Sequence, residues 1–160
     1  MEQTHNYTLS INWKGNKGTG TSDYRAYGRD YTVEIDGKQE LTGSADPTFR
    51  GDKHKHNPED MLMSAVTSCH MLAYLHVCVT EGIVVLDYTD TATGSMVTTS
   101  DGSGRFIEIT LNPVVTVADE TMVEKANTLH KKANELCFIA NSVNFPIKHI
   151  PRAKIINPIL

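Results

Sequence analysis

Apolar and polar residues alternate at the start of the chain, with Tyr7, Leu9, Ile11 and Trp13 on one side of residues 7–13, the period of a half-buried strand. The run Gly15-Asn16-Lys17-Gly18-Thr19-Gly20 then supplies turn residues. A second strand is expected over about 29–35, closing at the hairpin signal Asp36-Gly37, and a short third one over 39–43. Residues 44–56, with Pro47 and Gly51, read as a loop. The period changes at Asn57. Asn57 as N-cap, Pro58 at the first helical position and the acids Glu59 and Asp60 mark a helix start, and Gly82 sits where the residue after a helix belongs. Between them Met61, Leu62, Ala65, Val66, Cys69, Leu72, Ala73, Leu75 and Val77 cover more than one stripe, which predicts burial on several sides.

Strand is expected again over 83–86 and 88–99, and, after the turn Asp101-Gly102-Ser103-Gly104, over 105–117. Asp119 then caps an amphipathic helix over about 120–136, with Met122, Ala126, Leu129, Ala133 and Leu136 on one face. Residues 137–143 read as a further helical turn or a tight loop. The last strand falls within 145–156, where Pro146 and Pro151 mark it as an edge. Antiparallel hairpins with segregated helices define an α+β fold, here a single domain over residues 1–160.

Composition narrows the function. A chain of 160 residues that is 39% hydrophobic can build a core without a disulfide or a metal. A net charge of −4 gives no electrostatic footprint for nucleic acid. The short basic runs Lys53-His54-Lys55-His56 and His130-Lys131-Lys132 read as solvated surface. Residues 1–10 are polar, which speaks against a secretory leader, and no apolar run reaches the ~18 residues needed to span a bilayer. Three cysteines, an odd number, do not suit a secreted disulfide scaffold, so a reducing cytoplasm is expected.

The thiols are the candidate chemistry. Cys69 lies in the middle of the long helix and Cys137 at the end of the second one, positions that suit oxidation and resolution better than stapling. A thiolate at Cys69 needs help, because the dipole of its own helix fades within the first turn. A buried guanidinium with a carboxylate partner would supply it, and Glu59, ten residues earlier on the same helix, could orient such an arginine. The plainer reading of Cys69 is a small packed hydrophobe, the reading kept for Cys78. The small and polar residues Ala140, Asn141 and Ser142 behind Cys137 suggest an exposed thiol. Cys69, His70, His76 and Cys78 lie close in sequence but form no CxxC or HxxxH spacing, so neither a metal nor another cofactor is expected. His70 cannot face the sulfur of Cys69 along a regular helix, and His149 could do so only through folding.

Asn57-Pro58-Glu59 before a helix carrying Cys69, Gly82 after it, and Cys137 followed by Asn141-Ser142-Val143, 68 residues after the first thiol, resemble the OsmC/Ohr family of thiol peroxidases (osmotically inducible protein C and organic hydroperoxide resistance protein). The resemblance implies an OsmC-like fold with antiparallel sheets, a long buried central helix and an intertwined homodimer. It implies a cofactor-free peroxidase in which Cys69 attacks an organic hydroperoxide, becomes a sulfenic acid and condenses with Cys137, the disulfide then being reduced by a small or protein-bound dithiol. Glu59 matches the family glutamate that pairs with the activating arginine, for which Arg50 and, close behind, Arg25 are the candidates, Arg29 being offered by the same hairpin. Apolar residues such as Leu72 and Phe138 would line the pocket. His70 and His76 in the helix, and Phe138 after the second cysteine, depart from the commoner members. The alternative is a non-catalytic dimer of the same fold that binds an apolar ligand or partner.

Overall fold

The computed structural model describes residues 3–156; residues 1, 2 and 157–160, which the single-domain expectation included, lie outside the described residues. The chain forms two compact units, Met1–Leu62 and Met63–Leu160.

In the N-terminal unit, β1 (Ser10–Trp13), β2 (Tyr31–Glu34) and β3 (Leu41–Gly43) pair antiparallel in the order β1-β2-β3. Gly37, with φ of 72°, turns β2 towards β3, as Asp36-Gly37 predicts. The alternating β1 face is exposed rather than half-buried: Leu9, Ile11 and Trp13 all lie on the surface. Gly43 has a packing reason, since a Cβ there would sit 2.4 Å from the Tyr31 ring. Pro47–Phe49 is a single 3-10 turn inside the expected loop, capped by Asp46, whose carboxylate accepts from the Thr48 N–H.

Helix α1 (Pro58–Thr80) starts with a reciprocal cap: the Asp60 N–H donates to Asn57 Oδ1 at 2.7 Å, and the Asn57 N–H donates to Asp60 Oδ2 at 3.3 Å. Gly82 follows its end with φ of 73°, a left-handed conformation that favours glycine. By length and composition this helix could cross a bilayer, which corrects the expectation that no segment could. Its packing is that of a core helix on one side: Val66, His70, Tyr74, Val77 and Cys78 are buried, while Leu72, His76 and Val79 are exposed in the single chain.

The two long strands expected after α1 each break in two. β4 (Val85–Asp90) and β5 (Thr93–Thr98) come from the first; β6 (Gly104–Leu111) and β7 (Pro113–Val117) come from the second. The corner is tied at Asn112, whose N–H donates to Asp90 Oδ1 and whose side-chain amide donates to the Thr91 carbonyl. Two sheets result, β4-β7-β9 and β5-β6-β8. The closing segment supplies an edge to each, as β8 (Ile147–His149) pairs parallel with β6 and β9 (Arg152–Ile155) pairs parallel with β7. The sheets are therefore mixed. α2 (Val123–Leu136) follows a 3-10 turn capped by Asp119. One core forms where Tyr74 and Val77 of α1 meet Ala126, Leu129 and Ala133 of α2 over Val115 and Val117. A second gathers Val66, Ile109 and Leu111. Leu136, expected on the buried face of α2, is exposed.

Candidate active site: two neighbouring thiols

Cys69 sits three turns into α1 and is half-buried. Cys137 is the residue at which α2 stops. Its extended backbone (ψ of 111°) ends the helix, and the next residues fold back as a 3-10 turn, Ala140–Ser142. Three bonds hold this turn: the Asn141 N–H donates to the Cys137 carbonyl at 3.0 Å, the Asn141 side-chain amide donates to the Glu135 carbonyl, and Ser142 Oγ donates to the Phe138 carbonyl. The residues behind Cys137 thus serve to hold its turn. They do not expose the sulfur, because Cys137 is wholly buried, contrary to expectation.

The fold brings the two thiols together, and no disulfide joins them. Burial, and next the adjoining Cys69 thiol, push Cys137 up to about 11. Amides pull the other way: the Ala140 N–H donates to Cys137 Sγ at 3.4 Å, with help from that of Ile139. The third thiol, Cys78, is buried beside Tyr74, and burial raises its pKa above the usual thiol value. Phe138 and Leu72 are exposed at 81% and 62%, so within one chain they do not enclose a pocket.

The other predicted site residues belong to the N-terminal unit. The Glu59 atom Oε2 is buried without a hydrogen-bond partner among the described residues. Tyr31, which sequence reasoning passed over, has its pKa raised by burial and then by the nearby Glu59 carboxylate, and its hydroxyl approaches Met61 Sδ at 3.9 Å. Arg25 and Arg50 are exposed, Arg50 with φ of 68° at the end of the 3-10 turn. Arg29 is already committed: its guanidinium lies over the rings of Tyr24 (4.4 Å) and Tyr27 (4.0 Å) and donates to both of their carbonyls.

A histidine cluster accompanies the thiols. His70, next to Cys69, and His130, two turns before Cys137, are almost fully buried and share a hydrogen, Nε2 to Nδ1 at 3.0 Å. His149 lies against His70 with ring centroids 4.4 Å apart, and Tyr74 stacks on His130 at 3.9 Å. Burial first, then mutual repulsion, lowers His70 to about 3 and His130 to about 4; burial lowers His149 as well. The basic run His130-Lys131-Lys132 is thus surface only at its lysines. Helix phase carried the missing signal, since Ala126, His130, Ala133 and Cys137 recur at helical spacing. Among the described residues no three His, Cys, Asp or Glu side chains are arranged to hold a metal ion.

The chain is α+β and sets a helix-borne thiol against a second thiol at a helix end. The family model described as OsmC-like protein matches residues 51–151, and the chain belongs to that family. Among solved structures it is similar to an OsmC-like protein of unknown function from Vibrio cholerae O1 biovar eltor, with 27% identity, a TM-score of 0.82 and coverage of 92% of this chain and 99% of that one. It also shares its fold with an organic hydroperoxide resistance protein OsmC from Legionella pneumophila (21% identity, TM-score 0.67, coverage 94% and 99%). An organic hydroperoxide resistance protein from Elizabethkingia anophelis has the same fold (17% identity, TM-score 0.64, coverage 96% and 99%). No curated protein matches.

Proposed function

We propose that this protein is a cofactor-free thiol peroxidase that reduces organic hydroperoxides to alcohols. The observation that carries the reading is the nearness of two unbridged thiols from separate helices, Cys69 half-open and Cys137 buried behind it. The Cys69 thiolate attacks the terminal oxygen of the hydroperoxide; the O–O bond breaks, the alcohol leaves with a proton, and Cys69 carries the sulfenic acid. The sulfur of Cys137 then displaces that hydroxyl as water and forms the Cys69–Cys137 disulfide. A dithiol, small or protein-bound, reduces it. Glu59 with Arg50 or Arg25 is the pair proposed to hold Cys69 as thiolate, as the resemblance to the OsmC/Ohr family implies.

A homodimer belongs to the same proposal, because Leu72 and Val79 leave an apolar stripe of α1 exposed in the single chain, at 62% and 78%. A reducing cytoplasm, which would keep the three thiols free between turnovers, is the setting proposed.

Titrating the reduced protein with cumene hydroperoxide should consume two thiols per chain, and Cys69→Ser should abolish consumption. Turnover retained in that variant would reject the mechanism. A non-catalytic dimer that binds an apolar ligand would instead leave the wild-type thiols oxidised no faster than free cysteine.

A further inference from the structure

The buried histidines present a puzzle that stability does not solve. Val77, Ala126, Leu129 and Ala133, on the facing sides of α1 and α2, are apolar. His70 and His130 intrude there, and although they bond to each other, His70 Nδ1 and His130 Nε2 are buried without partners among the described residues. His149, packed on His70 from β8, has its Nε2 unpartnered as well. Leucines of similar volume would fill this space without stranded polar atoms, and replacing a buried polar pair by packed apolar residues is often neutral or stabilising. What an apolar pair cannot supply is registry. Apolar surfaces slide past each other at little cost, whereas one directional bond in a greasy interface fixes which residue meets which.

The bond is placed where registry matters. Among the described residues, two side-chain hydrogen bonds join α1 to α2: the His70–His130 contact, and the Tyr74 hydroxyl donating to the Ala126 carbonyl at 3.0 Å. His70 is the residue after Cys69, and His130 lies seven residues before Cys137 on the buried face of α2. A shift of one helix along the other would break this bond and part the sulfurs together.

We propose that His70 and His130 are positioning residues, a polar lock that fixes the register of α1 on α2 and so sets the effective concentration of the Cys137 thiol at Cys69. This rests on the thiol-pair reading above but not on the identity of the oxidant. Cysteines held loosely form a disulfide less readily, because part of the ordering must then accompany bond formation. The step to measure is the exchange of the reduced protein with oxidised glutathione, in which the two protein thiols become one disulfide and two molecules of reduced glutathione form.

Equilibration in anaerobic glutathione buffers, read by alkylation and mass spectrometry, gives the effective concentration directly. The double variant His70→Leu/His130→Leu should melt at or above the wild-type temperature yet show an effective concentration at least tenfold lower. His130→Asn, whose side-chain amide stands where Nδ1 stood, should stay within threefold of wild type. His130→Gln, one methylene too long, should lose the pairing as the leucines do. Wild-type pairing in the double variant, or equal pairing in the Asn and Gln variants, would overturn the proposal. A parallel fall of melting temperature and pairing across the series would overturn it too, since that marks a merely structural role. Should the double variant not fold, the Asn and Gln variants decide alone. Failure of the wild-type protein to form any Cys69–Cys137 disulfide would instead sink the thiol-pair reading itself.

Discussion

Cys78 and Cys137 are both buried thiols near a helix end, and burial pushes both away from ionisation. Their surroundings differ in kind. Cys78 lies beside the Tyr74 ring in the core between α1 and α2, and Tyr74, not a second sulfur, is the group that acts on it. Cys137 faces a second thiol, receives the Ala140 N–H on its sulfur, and is held by a turn whose own side chains bond back to it. Burial therefore does not distinguish these two thiols. The second sulfur beside Cys137, which Cys78 lacks, does.

The sharpest way to break this comparison is to remove each sulfur in turn. Cys69→Ser should lower peroxide turnover by roughly a thousandfold or more, the scale expected when a nucleophile is lost. Cys137→Ser should still reduce one equivalent of cumene hydroperoxide but stop there, with a sulfenic acid at Cys69 that dimedone traps. If Cys137→Ser turns over at the wild-type rate with a dithiol, Cys137 does not resolve. Cys78→Ala should keep the wild-type rate; a loss comparable to that of Cys137→Ser would erase the distinction between the two buried thiols.

Acidification tests the surroundings of both. The folded-state pKa of His70 lies near 3 and that of His130 near 4, with His149 lowered too, against about 6.5 for histidine in the unfolded chain. Below about pH 6.5 the unfolded chain binds more protons than the folded one, so stability is full above that value and falls as the pH drops towards 4. His70 and His130 each contribute a slope of at most about 1.4 kcal/mol per pH unit, and His149 acts in the same direction. Urea midpoints measured from pH 7 to pH 4.5 should fall steeply, and a flat profile would show the imidazoles not to be buried in neutral form. The opposite limb is shallower. Cys137, raised to about 11 in the folded chain, favours the folded state below about pH 9 and loses that advantage as the pH rises towards 11.

The smallest effect lies far from the sulfurs. Asn57→Ala removes the cap whose Oδ1 accepts the Asp60 N–H at 2.7 Å and should cost about 1 kcal/mol in chemical denaturation while leaving the reaction with glutathione unchanged. A large loss of thiol pairing from that substitution would mean that the start of α1, rather than its packing on α2, governs the site.

Much of this was legible in the sequence because it rests on local rules. Asn57-Pro58 with its following acids, Gly82 and Asp119 each solve a problem of helix ends, and the chain does at those places what they dictate. The nearness of the two thiols was legible only through family resemblance, since nothing local places residue 69 beside residue 137. Other features depended on neighbours that the pattern could not name. His130 read as surface because two lysines follow it, yet helix phase turns it inwards against His70 and Tyr74. Cys137 read as exposed because polar residues follow it, yet Asn141 and Ser142 spend their polarity on the backbone around it. The long strands looked continuous because alternation does not register a corner, which Asn112 fixes through bonds to Asp90 and Thr91.

The most direct measurement is peptide mapping after one equivalent of cumene hydroperoxide is added to the fully reduced protein and free thiols are blocked. The mechanism requires a linked peptide containing residues 69 and 137, with Cys78 carrying the blocking group. A sulfinic acid at Cys69 beside a blocked Cys137, or a bridge that includes Cys78, would contradict it.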